Sequence, residues 1–426
     1  MIRIFFVVVI LSLAIFLSYL ALSSALSGRS DPNKPVTLTV WGVNDDPAIM
    51  ERVIEGYRKR HPNVTINYAK QSLTNYRSRI QSQISANQAA DIVAVHSSWL
   101  PMFLQGNSLF AAPAEVFNQG SFGRSFYKVA SDSFLSGGKV YAVPNEVDGL
   151  ALFVNNDILK GQGLKIPDSW DELVTAAVKT TVVDQSGAIR TAGLAFGSTG
   201  NVRHWSEILG LLFAQQPNAR VDRPDSDSGK EVFNFFKRPT GDDKKRTWDN
   251  SLGEDSREFA QGRLTFYFGK ASDARAFKSQ NPNLNFTVVP TPQLPNKDAG
   301  FGCFWGYGVS SKSKNPTEAW KFLKFLTDAE TEKYIYSEET RLYNGLGKPY
   351  ARSDLQNSLA SDPINGAFVA QGPIYKSWYL CSDTKDQGLN DEMVAAFQAA
   401  VNGGSLADLQ TSIQTILAKY TTPAKR

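Results

Sequence analysis

The sequence predicts an α/β fold, on three observations. Short runs that alternate apolar and polar residues read as strands, and segments with apolar residues at helical spacing stand between them. Strand, helix, strand, helix and strand succeed one another within residues 36–95, an order that builds a mostly parallel sheet. The same grammar returns in the middle of the chain, with no short internal repeat.

Taken in order, Val36–Trp41 alternates as a half-buried strand does. Asp46 stands at an N-cap position ahead of Pro47, and Ile49, Met50, Val53, Ile54 and Tyr57 form one apolar helix face. His61-Pro62 ends that helix; Val64, Ile66 and Tyr68 then mark a second strand. Tyr76, Ile80 and Ile84 line one side of the next helix, and Asp91–Val95 is a short, fully buried strand. Val140–Val143 and Leu150–Val154 are strands. Ser169 and Glu172 make a capping box, opening a helix that turns Leu173, Val174, Ala177 and Val178 inward. Charge, Pro and Gly between Pro217 and Lys245 predict surface loops. Leu264–Phe268 and Phe286–Val289 are strands, and Asn315-Pro316 opens a helix carrying Trp320, Leu323 and Leu326. From about residue 327 short helices alternate with turns, and Leu409, Ile413, Ile416 and Leu417 mark a final amphipathic helix.

A chain of 426 residues implies two or three domains, at roughly 150 residues each. Its 45 Lys and Arg against 41 Asp and Glu leave a charge of +4 with no concentrated basic stretch, which argues against nucleic acid as a partner. Three His and two Cys, with no His-Glu-x-x-His and no paired Cys-x-x-Cys, leave no metal site to expect. Gly197-Ser198-Thr199-Gly200 lacks the spacing of a nucleophile elbow, and Gly262 to Gly269-Lys270 is too long for a phosphate loop. His61, His96 and His204 are scattered: His61 reads as a surface residue and His96 as a turn after a buried strand. The Glu146/Asp148 pair, with no further acid indicated beside it, is a weak basis for glycoside hydrolysis. Neither catalytic residues nor cofactor are expected.

Residues Ile4 to Leu22 carry no charge, and 19 residues make a helix of roughly 28 Å, close to one bilayer core. That is longer than the ~7–15 residues of a cleavable signal and favours an anchor, while Ala25-Leu26-Ser27 offers a cleavage site. Residues 1–27 are therefore a signal peptide or membrane anchor, 28–35 a polar linker, and the remainder an exported body. No Cys near this segment could carry lipid. Cys303 and Cys381 permit a disulfide in an oxidising compartment, with two separate buried thiols as the plainer alternative.

Aromatic and polar residues gather just past strand ends. Trp41–Asp46, His96–Trp99, Asn145–Gly149 and Phe301–Tyr307 are four such loops. Ligands of open α/β sheets sit beyond the carboxyl ends of strands. Trp and Tyr can cover the C–H face of a sugar ring, while carboxylates and amides bind its hydroxyls.

The run Gly138–Pro144, Asp148–Asp157 and Pro167–Leu173 is the most specific of several ordered stretches. Thr37–Trp41, Tyr57–Ile66, Asp91–Val95, Phe259–Arg263 and Ala319–Leu326 accompany it. Together, over residues 36–420, they resemble the extracellular solute-binding proteins of ABC importers, in the sugar-binding family that includes maltose-binding protein. The resemblance implies a two-lobe, type II (Venus-flytrap) periplasmic-binding-protein fold behind the N-terminal hydrophobic helix, with a hinge crossed three times. Lobe 1 would take residues 36–145 and 290–312, and lobe 2 residues 149–287 and 316–426. It also implies a monomer at the outer face of the cytoplasmic membrane or in the periplasm, tethered if the N-terminal helix is uncleaved. Its partners would be a mono- or oligosaccharide and a membrane permease.

Site residues follow from the resemblance one by one. Asp148 matches a hinge-adjacent acid that binds sugar hydroxyls in relatives, and Trp41, Asn44 and Asp45 follow the first strand, where polar contacts are placed; Asp46 is better explained as a cap. Ser98 and Trp99 occupy the loop after the Asp91 strand, and Trp378, beside Tyr379, falls where a stacking aromatic is expected, with Tyr375 as packing. Gly269 and Ser272 lie on the loop after the Leu264 strand, although the Trp frequent there in relatives is missing. Trp305 and Tyr307 either line the cleft or wedge between glycines, and Arg341 and Tyr343 are further candidates. A polyamine, metal chelate or phosphorylated metabolite in the same fold is the leading alternative, and an exported glycoside-acting enzyme or adhesin the next.

Overall fold

The computed structural model describes residues 34–241, 245–295, 297–381, 384 and 388–421; the N-terminal apolar segment and most of the linker lie outside them. Among the described residues no helix is long and apolar enough to cross a membrane. The first strands and helices form where their periodicity requires: Val36–Gly42 (β1), Pro47–Arg60 (α1), Val64–Lys70 (β2), Tyr76–Ser85 (α2) and Ile92–His96 (β3). The Asp46 carboxylate caps α1, accepting from the Ala48 and Ile49 amides at 2.8 and 3.4 Å. Short strands follow at Leu109–Phe110 (β4), Leu135–Ser136 (β5), Lys139–Val140 (β6) and Ala142–Pro144 (β7).

A second set begins with Ala151–Asn155 (β8) and continues through Trp170–Thr180 (α3), Val182–Val183 (β9), Ile189–Leu194 (β10) and Trp205–Gln215 (α4). Asp227–Gly241 (α5), Leu264–Gly269 (β11), Ala271–Gln280 (α6) and Phe286–Val289 (β12) complete it. The chain then runs through Gly300–Phe301 (β13), Trp305–Ser310 (β14), Pro316–Leu326 (α7), Ala329–Leu342 (α8), Tyr375–Lys376 (β15), Leu389–Val401 (α9) and Leu406–Thr421 (α10). Two sheets result. One has the order β2-β1-β3-β14-β4, with β7 also on β14; the other has the order β12-β8-β11-β10-β9.

The parallel arrangement expected within residues 36–95 holds for β1, β2 and β3. Both sheets are mixed, however, because β14 and β8 enter from the other half of the molecule and run antiparallel to their neighbours. Residues 217–245 are another correction. The predicted loops contain a 15-residue helix, α5, which buries Val232, Phe233 and Phe236 while its charges face water. Its Pro239 lies in the last turn, so the bond it cannot donate is lost near the end of the helix and not in its middle. The lobe boundary also moves. Helices α7 and α8 pack on α1, and α7 on β14, with Phe322 and Phe325 each 5.2 Å from the Tyr57 ring, so residues 316–342 side with the first sheet.

Three stretches of chain meet at one junction, two of them running from one sheet to the other. The Leu150 amide donates to Phe301 O at 2.9 Å, the Cys303 amide to Asp148 O at 3.1 Å, and the Gly302 amide to Lys376 O at 2.8 Å. Buried Gln371 adds four more bonds. Its amide nitrogen donates to Leu150 O and Ala367 O, and its oxygen accepts from the Thr291 amide and hydroxyl. The Tyr375 ring fits here only because Gly149 and Gly300 have no side chain: a Cβ at either would stand 2.6–2.7 Å from it. Cys303 and Cys381 are joined, their Cα atoms 5.8 Å apart, so the second and third stretches are covalently tied.

That bond closes a sequence separation of 78 residues, for which loop entropy gives a stabilisation of roughly 4 kcal/mol. The Cys303→Ser/Cys381→Ser protein should accordingly unfold at clearly lower urea concentration than the oxidised chain. An unchanged midpoint would show that the tie adds nothing to the junction.

Candidate functional site

A cleft of about 900 Å³ opens beside the junction, between the two sheets. Asn44, from the loop after β1, and Trp305, at the start of β14, come from the first unit. Arg203 and His204 before α4, and Lys270, Ala271, Ser272 and Arg275 around the start of α6, come from the second. The first crossing adds Glu146 and Asp148, and the turn after α8 adds Lys348.

Asp148 is the best anchored of these. Its Oδ1 accepts from the Gly149 amide at 2.8 Å and from the Ala271 amide, at the start of α6, at 3.2 Å. Burial pushes its carboxyl up to about 7, reinforced by nearby Glu146 and opposed by Lys270 and the two amides. Burial also raises Glu146. Behind the opposite wall lies a charged cluster. His204 Nε2 is 3.0 Å from Asp273 Oδ2, Arg203 reaches Asp273 Oδ1 at 3.2 Å, and Lys270 Nζ is 3.6 Å from Glu207 Oε1. Burial disfavours the His204 cation, yet Asp273 and Glu207 push it up to about 9, so the ring is an imidazolium at neutral pH. Burial works against the Asp273 carboxylate too, but His204 and Arg203 hold it well below the ordinary range.

Of the twelve residues expected from the sequence, Asn44, Asp148, Ser272 and Trp305 line the cleft. Asp45 does not: its carboxylate accepts from the Tyr307 hydroxyl, from Asn145 Nδ2 at 3.0 Å and from Lys348 Nζ at 2.9 Å. Burial opposes its charge, and Lys348 and these donors nonetheless hold its pKa down. Tyr307 is thereby fully buried, and Gly42 makes room for its hydroxyl, since a Cβ would come within 2.3 Å. Trp99 is also core, its ring 5.0 Å from Trp305 at 84°, where it backs the cleft tryptophan. Trp41 is half-buried against the core, and Gly269 ends β11 beneath Tyr267. Tyr343 donates to the Asp46 carboxylate at 2.8 Å under the Arg275 guanidinium, and Arg341 pairs with Glu338 at the surface. Ser98 and Trp378 border a second hollow of about 690 Å³ that shares no lining residue with the cleft. The structure thus does not bring Trp378 to Asp148. Lys270, Lys348, Arg203 and His204 were missed; each sits in a loop beside a strand or helix end, the signal used only for aromatics and acids.

The model of the bacterial extracellular solute-binding proteins matches residues 41–333. The chain belongs to that family. Among its relatives, the maltodextrin-binding protein MdxE of Bacillus subtilis is 25% identical over 75% of this chain and 75% of its own. The multiple sugar-binding protein of Streptococcus mutans is 20% identical over 68% and 70%. Among solved structures, the sugar-binding protein MalE from Xanthomonas citri superposes with a TM-score of 0.70 at 20% identity, over 90% of this chain and 98% of that one. This solute-binding protein therefore has the family's two-lobe α/β architecture, and its cleft lies between the lobes.

The His204 cluster carries a pH dependence. The folded chain keeps a proton to about pH 9 that the unfolded chain releases near 6.5, so the stabilisation is complete below 6.5 and disappears as pH rises through 9. The difference amounts to about 3 kcal/mol. Urea unfolding at pH 6 and pH 9.5 should show the native chain losing about that much more than His204→Gln. Equal losses in the two proteins would refute the pairing.

Proposed function

We propose that this chain is the solute-capturing component of an ABC importer, taking a carbohydrate between its lobes and presenting it to a membrane permease. The observation that carries the reading is the position of Asp148. It belongs to a chain crossing, faces the cleft, and is bonded through its carboxylate to the first turn of α6 in the far lobe. A ligand on Asp148 would therefore feel both lobes at once. Hydroxyl partners surround it in Glu146, Asn44 and Ser272, and the Trp305 ring supplies an apolar surface. Sugar-binding relatives in Bacillus and Streptococcus support the solute class.

Closure would be a hinge motion about the junction, with ligand selecting the closed state. A contact across the cleft already exists: Arg275 of α6 meets Glu339 of α8 at 2.8 Å. The reading calls for no bond making or breaking, no cofactor and no metal. It places the body outside the cytoplasmic membrane as a monomer, exported by the apolar segment 4–22, which serves as a cleaved signal or a tether.

Thermal-shift screening against mono- and oligosaccharides tests the proposal, since a sugar at 100 times its Kd adds about 2.7 kcal/mol of stability. No shift with any sugar would remove it. For a sugar that binds, Asp148→Asn keeps an oxygen for the Gly149 and Ala271 amides but loses the charge, and calorimetry should show affinity reduced about ten- to a hundredfold. Stability at pH 8 should hold or rise, because above its pKa of about 7 the buried carboxyl is ionised at a desolvation cost that the amide does not bear.

A further inference from the structure

The cleft walls carry more positive charge than hydroxyl recognition requires. Arg203, Lys270, Arg275 and Lys348 all line it, joined by the His204 imidazolium. Of their carboxylate partners, Glu146 lines it too, 3.6 Å from Lys348, whereas Asp45, Glu207, Asp273 and Glu339 do not. Five cationic side chains therefore line the cleft against three acidic ones. Two of the three acids that do reach the cleft, Glu146 and Asp148, have their ionisation opposed by burial, which leaves Glu254 as the third.

Flat apolar surface is scarce by comparison. Trp305 is the one aromatic among the described lining residues, and the loop after β11 contributes Lys270 and Ser272 and no ring. Lys270 is 5% exposed, so a ligand would meet its ammonium in a poorly hydrated setting where charge attraction is strong. The Arg203 side chain, 53% exposed, has a guanidinium within reach of an incoming group.

We propose that the cleft takes an acidic carbohydrate, a hydroxyl-rich ligand bearing a carboxylate or a phosphate. The anionic group lies against Arg203 and Lys270, and the hydroxyls lie on Asp148, Glu146 and Asn44. This rests on the carbohydrate reading above and narrows it. A neutral sugar would leave the cation wall facing only hydroxyl dipoles, so the charge is worth most to a ligand that carries its own.

Calorimetry with matched sets tests it: neutral mono- and disaccharides, the corresponding uronates, and the corresponding sugar phosphates. An acidic member should bind at least tenfold more tightly than its neutral counterpart, and the ratio should fall as salt rises from 0.05 to 0.5 M. Whichever arm binds, uronate or phosphate, identifies the anion. Arg203→Gln should bring the ratio towards one; because Arg203 also pairs with buried Asp273, the folding of this variant is checked by circular dichroism, as is that of Lys270→Gln, the second variant. Neutral sugars binding as well as their acidic partners would overturn this proposal and leave the carbohydrate reading standing. Binding by none of the three sets would overturn both.

Discussion

The backbone bonds that join Asp148–Leu150, Phe301–Cys303 and Lys376 hold the two sheets in register, and most of the site depends on them. They let a chain that leaves one unit and returns behave as a single mechanical element. Without Cβ atoms at Gly149 and Gly300, the Tyr375 ring can be clamped between two of the crossings, and Gln371 ties a further carbonyl and a threonine to the same point. The disulfide then connects Cys303, on the cleft wall, to Cys381 at the end of the third stretch. On the closure proposed above, rotation of one lobe against the other would be absorbed here.

Charge organisation follows from that junction. Glu146 and Asp148 are carried into the cleft by the first crossing, and Lys348 lies 2.9 Å from Asp45 and 3.6 Å from Glu146. Burying so many ionised groups is tolerated only because each cation has a carboxylate close by. The result is a cleft lined by five cationic and three acidic side chains, with Asp45, Glu207, Asp273 and Glu339 paired to those cations from outside the lining. Such a lining costs desolvation energy that an apolar wall would avoid. A carbohydrate pocket with no use for the charge would have little reason to keep it.

Much of the fold was legible because periodicity is a local property. Ile49, Met50, Val53 and Tyr57 lie on one side of α1 by helical spacing alone, and the structure buries all four. The Asp46 cap and the Ser169–Glu172 pair were readable for the same reason. Charge density hid α5, whose core contact is made by Val232, Phe233, Phe235 and Phe236 and whose Phe233 stacks on Phe397 in α9, over 160 residues away. The side on which α7 and α8 pack was also invisible, since it rests on Tyr57 meeting Phe322 and Phe325 across the chain.

The site was less legible, for a reason that Trp99 and Trp305 make plain. Both are tryptophans beside strand ends, and sequence position does not tell them apart. In three dimensions they pack edge to face, so that one borders the cleft and the other supports it. Asp45 and Asp148 form a similar pair of acids in loops. One is consumed by Tyr307, Asn145 and Lys348, while the other is held by two amides and still faces the cleft. What separates a binding residue from its support is the number of hydrogen-bonding partners the fold has already assigned to it. Asp148 keeps an oxygen that neither amide occupies, on a crossing that bonds to both lobes, and that spare capacity is what makes it the residue through which a ligand could be felt by the whole molecule.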